Sequence, residues 1–227
     1  MASDPILVRG IILKIEEYKD KDTIVTVFTR ELASIRIVVK GSRSGHSASR
    51  AITIPFMVVD IVVTKSHGML YLKDFSIVEG NNAILSSLEA MTFASHFAEV
   101  LIDCAITGVG QQELYELSIY TFYNLNKNTN SLEVMKSVYS AFNWRILVIH
   151  GQAPGEDILT NKYKLTGASI AALMYWSTSP INKLYRFSVD SITNEQLLKF
   201  TNKMLSIEFD KNYNKYESFL VNMKLNG

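Results

Sequence analysis

The first eighty residues repeat a two-residue rhythm. ILVRGIILKI (6–15), TIVTVFT (23–29), SIRIVVK (34–40), PFMVVDIVV (55–63) and MLYLKDFSIV (69–78) are rich in Ile, Val and Thr, residues that suit a pleated, half-buried surface. Turn chemistry separates them: EEYKDKD, RELA, a GSRSGHSAS loop and KSHG. In Ile35-Arg36-Ile37-Val38-Val39-Lys40 the alternation puts Arg36, Val38 and Lys40 on one face. Five such strands with short turns and one polar loop predict a small closed or partly open barrel. The five-stranded OB-fold, which usually binds oligonucleotides, is the commonest solution; an SH3-like barrel or an open meander are the alternatives.

After Glu79-Gly80-Asn81-Asn82 the period lengthens to about 3.6. Leu85, Leu88, Met91, Phe93, Phe97, Val100, Leu101 and Cys104 fall at helical spacing. Ser86-Ser87-Leu88-Glu89 reads as a capped start and Gly108 and Gly110 as stops. Further helices are predicted over 111–127, 132–150, 166–177 and 192–208, with a tyrosine-rich tail helix from near 212. Residues 151–165 read as irregular. The fold class is therefore α+β: a barrel domain over 1–80, then an all-α domain over 81–227.

Composition adds a core and removes several chemistries. Hydrophobic residues make up 48% of the 227, which excludes wholesale disorder. A single cysteine, Cys104, excludes an internal disulfide framework and any multi-cysteine metal site; in AEVLIDCAI it reads as a small buried hydrophobe. MASDPILVRG lacks a basic segment followed by an apolar one, and no 18-residue uncharged apolar run occurs. A soluble, cytoplasmic protein is expected.

Charge matters locally. The net charge is +1, yet residues 30–50 carry Arg30, Arg36, Lys40, Arg43 and Arg50 against Glu31 alone. Residues 81–135 carry Lys127 against Glu89, Glu99, Asp103, Glu113, Glu116 and Glu133. A basic loop of small residues can follow a phosphate backbone, because Gly and Ser admit close backbone N–H approach and Arg contacts phosphate bidentately. The same loop is equally a solvated hairpin. Of the barrel rings Phe28, Phe56, Tyr71 and Phe75, Tyr71 is the best candidate to stack a base.

The stretch TVFTRELASIRIVVKGSR resembles the N-terminal barrel of the RecO family of bacterial recombination mediators. The matching parts are Phe28-Thr29, Glu31, Ile35, Lys40-Gly41-Ser42-Arg43, a Ser-rich loop to Arg50, and Pro55-Phe56. ASHFAEVLIDCA, LYELSIYTFYNL and AFNWRILVIHGQAP are similar to the family's following helices. Ala33 stands where the family usually has Gly, so a turn of another type is expected there. Gln152 replaces the usual Tyr, and the family's zinc-binding cysteines are absent. The segment near 152–165 is thus expected to be reduced to a metal-free loop, with no cofactor.

The resemblance implies a nucleoid-associated DNA-repair protein without turnover chemistry. It would bind single- and double-stranded DNA, anneal strands, work with RecR, contact the C-terminal tail of single-strand-binding protein and assist RecA loading. Arg36, Lys40, Arg43 and Arg50 would hold phosphates first, then Arg30, Arg9 and Lys14. Lys136, Arg145 and Phe142, on the helix over 132–150, are the candidates for the partner tail. Catalysis finds little support: His46, His67, His96 and His150 form no paired motif, and no nucleophile elbow or phosphate-binding glycine loop occurs. The rival reading is an adaptor whose barrel docks a peptide and does not touch DNA.

Overall fold

The structure, a computed structural model, describes residues 4–44, 48–107, 111–187 and 189–213. The chain clusters into two compact units, Met1–Asn82 with Ala98–Ile119, and Ala83–Phe97 with Tyr120–Gly227.

In the first unit β1 (Ile6–Tyr18), β2 (Asp22–Thr29), β3 (Ala33–Val39), β4 (Val58–Ser66) and β5 (Met69–Glu79) close a barrel in the order β1-β2-β3-β5-β4. This is the OB-fold arrangement, with a single parallel contact where Ile37 and Val38 meet Leu70 and Tyr71. The open meander is excluded by closure. Period-2 alternation fills the interior: Val25 and Val27, Ile35, Ile37 and Val39, and Val59, Ile61 and Val63 are buried. Ile52, on a 3-10 turn over Ala48–Thr53, is fully buried as well.

β1 is the strand the barrel turns on, because it pairs with β2 on one side and β4 on the other. Gly10 faces Thr29 in one pairing and Val59 in the other. A Cβ there would come within 2.5 Å of the Val27 side chain and 2.6 Å of the Phe28 carbonyl oxygen. The register then slips between Ile12 and Lys14, a bulge that sharpens the strand's coil.

Two differences from the sequence pattern have local causes. β4 begins at Val58 rather than Pro55: Pro55 has no N–H to donate, and Phe56 adopts a left-handed φ of 68°. Phe56 N–H still bonds the Ile12 carbonyl (2.8 Å), and Asn81 donates to the Phe56 carbonyl (2.7 Å). The turn at Ala33 keeps the left-handed geometry, with φ 53°, instead of changing type. Thr29 Oγ1 accepts from Leu32 N–H and donates to the Ala33 carbonyl, both at 3.1 Å. That pair of bonds holds a conformation costing about 1 kcal/mol for a residue with a Cβ.

The helices are α1 (Asn82–Leu85), α2 (Leu88–Thr107), α3 (Gln111–Lys127), α4 (Leu132–Ile149), α5 (Glu156–Asn161), α6 (Gly167–Thr178) and α7 (Ser191–Glu208). The cap of α2 is Ser87, one residue later than expected: its Oγ accepts from Ala90 N–H (3.1 Å). α4 is capped by Ser131 and stopped by Gly151 at φ 70°, with Gln152 N–H closing back on the Leu147 carbonyl (2.8 Å). Residues 152–165 are not a plain loop, because α5 forms within them and buries Leu159. The expected tail helix lies mostly outside the described residues, as do His46 and the glycines at 108 and 110.

The second unit packs around aromatic rings. Phe97 lies 4.6 Å from Phe142 and 6.0 Å from Phe122, and His96 lies 4.3 Å from Tyr139, ring centroid to centroid. His96 is buried and bonds Asn143 Oδ1 (2.7 Å), while Tyr139 donates to Asn202 Oδ1 (2.8 Å). Cys104, in the first unit, is buried. Among the described residues no helix is long and apolar enough to cross a membrane.

Gly10→Ala tests the coil of β1. The new methyl meets backbone as well as side chain, so relaxation requires the β1–β2 pair to separate. We expect a loss of about 1–3 kcal/mol, read as a lower denaturant midpoint with unchanged slope.

Candidate nucleic-acid interface

Lys40-Gly41-Ser42-Arg43 leaves β3 beside the β1–β2 hairpin. Gly41 adopts φ 64° and donates its N–H to Asp22 Oδ1 (2.9 Å). Ser42, buried, donates to Thr23 Oγ1 (2.7 Å). Arg43 donates from its guanidinium to the Lys19 carbonyl (3.0 Å) and the Asp20 carbonyl (2.6 Å), and forms an ion pair with Glu17. Three of the four motif residues therefore fasten the loop to the hairpin. Lys40 remains exposed, its ammonium 5.0 Å from the centre of the Tyr71 ring. Tyr71 is half-buried and stands beside Val38 across the parallel β3–β5 contact.

A second group lies on the outer wall. Lys14 faces Thr26 across β1–β2, and Thr26 faces Arg36 across β2–β3. One carboxylate serves both cations: Glu16 bonds Lys14 Nζ at 2.9 Å and pairs with Arg36 at 3.4 Å. The hydrogen bond from Lys14 holds the Glu16 carboxyl below the usual carboxylate range, against the opposing effect of burial.

A third group sits at the other end of the strands. Arg9 lies directly opposite Asp60 and grips it bidentately at 2.6 and 2.7 Å. That bond lowers the Asp60 carboxyl and raises the Arg9 guanidinium from their ordinary values. Arg30, in the β2–β3 turn, shares a field with Arg9, Glu31 and Asp60 at the Tyr115 hydroxyl, whose pKa burial raises. β2 runs from Asp22 to Thr29 between the two ends, so Arg30 and Arg43 are separated by roughly 20 Å of strand. Arg50 is exposed in the last turn of the 3-10 segment.

The eight barrel candidates thus do not form one patch. The structure brings together Lys40 with Tyr71 and Lys14 with Arg36, and sets Arg9 and Arg30 at the Gly10–Thr29 end of the β1–β2 pair. Arg9, Lys14, Arg36 and Arg43 each meet a carboxylate. Among the described residues no carboxylate pairs with Lys40, Arg50 or Arg30. Sequence reasoning missed the partners Glu16, Glu17 and Asp60. The i, i+2 spacing of Lys14 and Glu16 on one strand was a readable signal; the Arg9–Asp60 pair needs the β1–β4 register.

The helical candidates are structural. Phe142 is fully buried against Phe97. Lys136 is buried, its ammonium donating to Glu133 (2.9 Å) and Glu195 (2.5 Å). Burial alone would lower the Lys136 pKa, but its bonds to Glu195 and Glu133 leave it raised. Burial would likewise raise Glu133, and its bonds to Lys136 and Asn194 leave it lowered. Arg145 donates to the Trp176 and Ser177 carbonyls at 3.0 and 2.8 Å, capping the last turn of α6. These three residues offer a peptide no shared apolar groove. Among the described residues no group of three or more His, Cys, Asp or Glu is placed to hold a metal.

Residues 1–81 match the family described as Recombination protein O N terminal. The DNA repair protein RecO of Clostridium acetobutylicum is 23% identical over 82% of this chain and 86% of its own length. Its counterpart in Clostridium kluyveri is 22% identical over 90% and 88%, and that of Acetivibrio thermocellus 23% over 92% and 93%. The chain is thus similar to RecO proteins along most of its length, and its barrel residues match that family's N-terminal domain. Within the RecO likeness, the Lys-Gly-Ser-Arg segment is explained by loop anchoring, with Lys40 as its outward residue.

Two expectations follow. Arg43→Ala removes two bonds to carbonyls and one ion pair, and should cost about 1–2 kcal/mol in chemical denaturation. Lys40→Ala, at the exposed neighbour, should stay within about 0.5 kcal/mol of the parent.

The Lys136 cluster makes stability pH-dependent at both extremes. Glu133 is depressed, so its contribution is present above the ordinary carboxylate pKa and lost as pH falls through the depressed value. Lys136 is raised, so its contribution is present below the ordinary lysine pKa and lost as pH rises through the raised value. Lys136→Met should lower stability at pH 7 by about 1–3 kcal/mol and flatten the acid limb of a stability–pH profile.

Proposed function

We propose that this chain is a recombination mediator in DNA repair that binds DNA through its barrel without turning it over. The reading is supported by the match of residues 1–81 to the RecO N-terminal family and by similarity to relatives that carry the name DNA repair protein RecO. The observation that carries it to residues is Lys40, exposed over the half-buried Tyr71 ring on a five-stranded OB barrel. A ring with a cation above it joins the two elements of sequence-tolerant single-strand binding, a stacking face and a phosphate contact. Lys40 and Arg50 are the first phosphate contacts on this reading, because no carboxylate among the described residues competes for them; Arg30 is a third. Annealing of complementary strands, cooperation with RecR, contact with the tail of single-strand-binding protein and help to RecA follow from the family reading.

The test is fluorescence anisotropy with a single-stranded oligonucleotide across a salt series. The parent should bind at low salt and weaken steeply as salt rises. Lys40→Glu with Arg50→Glu should weaken binding at least tenfold and reduce the salt slope by roughly 1.4, about 0.7 for each single-strand phosphate lost. No binding at low salt would overturn the reading and leave a protein-docking adaptor.

A further inference from the structure

Lys14, Thr26 and Arg36 form a row across three adjacent strands, set by the register of β1 on β2 and β2 on β3. With Glu16, Ser34, Ile102 and Ala105 they line a hollow of about 380 Å³ within the barrel unit. Its polar wall offers an ammonium, a guanidinium and two hydroxyl-bearing side chains. Its other wall, Ile102 and Ala105 from α2, is apolar.

The charges in this hollow do not balance. Two cations face one carboxylate, so a positive charge is left over. Glu16 reaches both cations, tightly to Lys14 (2.9 Å) and loosely to Arg36 (3.4 Å). More than half of the Lys14 and Arg36 side-chain surface stays open to solvent. Pairs this exposed are weak and readily exchanged for a better anion. A phosphodiester has two non-bridging oxygens, as a carboxylate has two oxygens, and accepts the same fork of donors.

We propose that this hollow is a seat for one phosphodiester of the DNA backbone, and that Glu16 holds the phosphate's place in the free protein. The proposal rests on the DNA-binding reading and adds to it a site and an internal competitor. When backbone enters, Lys14 and Arg36 turn from Glu16 to the phosphate, and Thr26 and Ser34 are at hand to donate. Because the cations are already engaged, an isolated anion gains little by displacing Glu16. A strand held at neighbouring contacts presents its phosphate at high effective concentration and displaces it. Glu16 is therefore a specificity-determining residue, which favours a polymer over free phosphate.

The test measures affinity for a labelled single-stranded oligonucleotide in full-length variants, with thermal unfolding to confirm the fold. Glu16→Gln should bind roughly threefold to tenfold tighter than the parent. Glu79→Gln removes the same charge from the end of β5 and reports the general electrostatic gain, which should be smaller. Lys14→Gln with Arg36→Gln should weaken binding and lower the salt slope by roughly 0.7, the value for one shared phosphate. In that double background Glu16→Gln should do no more than Glu79→Gln. Inorganic phosphate, at matched ionic strength, should displace the oligonucleotide no better than chloride.

If Glu16→Gln equals Glu79→Gln in the parent background, the inference fails, even while Lys40 and Arg50 continue to govern binding. Displacement by millimolar phosphate would make the hollow a free-phosphate site and also overturn it. If the parent binds no oligonucleotide, the DNA-binding reading fails and the seat with it.

Discussion

Barrel closure depends on β1 pairing with two neighbours at once. Backbone groups on both of its edges are spent in ladders, with Gly10 opposite Thr29 on one side and Val59 on the other. A strand held this way must coil hard, and coiling brings the β2 backbone against it. Gly10 admits that approach, and the bulge between Ile12 and Lys14 resets the register beyond it. Side-chain positions on the outer wall follow. The Arg9–Asp60 pair is a consequence of the β1–β4 register. The Lys14–Thr26–Arg36 row is a consequence of the register after the bulge; a slip of one residue would turn each of these side chains inward.

The surface electrostatics follow from those registers more than from composition. A net charge of +1 conceals seven candidate cations on the barrel, four of them tethered: Arg9 to Asp60, Arg43 to Glu17, and Lys14 with Arg36 to Glu16. Tethering has two different meanings here. Arg43 also bonds two main-chain carbonyls, so leaving would break the hairpin closure. Among the described residues, Lys14 and Arg36 bond only the part-exposed Glu16 carboxylate and can exchange it. The number of other bonds a cation makes, rather than its having a carboxylate, decides whether it is available to a polyanion.

Much of the fold was legible in the sequence because it is written in local periods. Strand alternation located β1, β2, β3 and β5 to within a few residues, and helical spacing located α3, α4, α6 and α7. Misses occurred where a local signal met a long-range one. Pro55-Phe56 reads as strand, yet Phe56 bends to a positive φ so that its N–H can reach Ile12. Ala33 reads as a residue unsuited to a left-handed turn, yet Thr29 holds it there from across the hairpin. Residues 152–165 read as irregular, yet α5 forms because Leu159 is buried. The candidate site was less legible, since a charge count reports which cations exist and not what they touch. Lys136 reads as a candidate for the partner tail; burial between Glu133 and Glu195 makes it part of the helical scaffold.

The Lys-Gly-Ser-Arg segment shows how a motif can mark a binding face without supplying most of its contacts. Gly41 takes the left-handed turn, Ser42 inserts a hydroxyl under Thr23, and Arg43 reaches back over Lys19 and Asp20. Each of these is satisfied inside the protein, and exchanging any of them for a phosphate bond would gain little while loosening the hairpin. Their joint effect is to fix where β3 ends, and that places Lys40 over Tyr71 on β5. A lysine on an untethered loop would lose several rotors on meeting a phosphate. One already resting on a ring has lost part of that freedom before the ligand arrives. The motif's contribution to recognition is thus pre-organisation, transmitted from three inward-bonded residues to one outward charge.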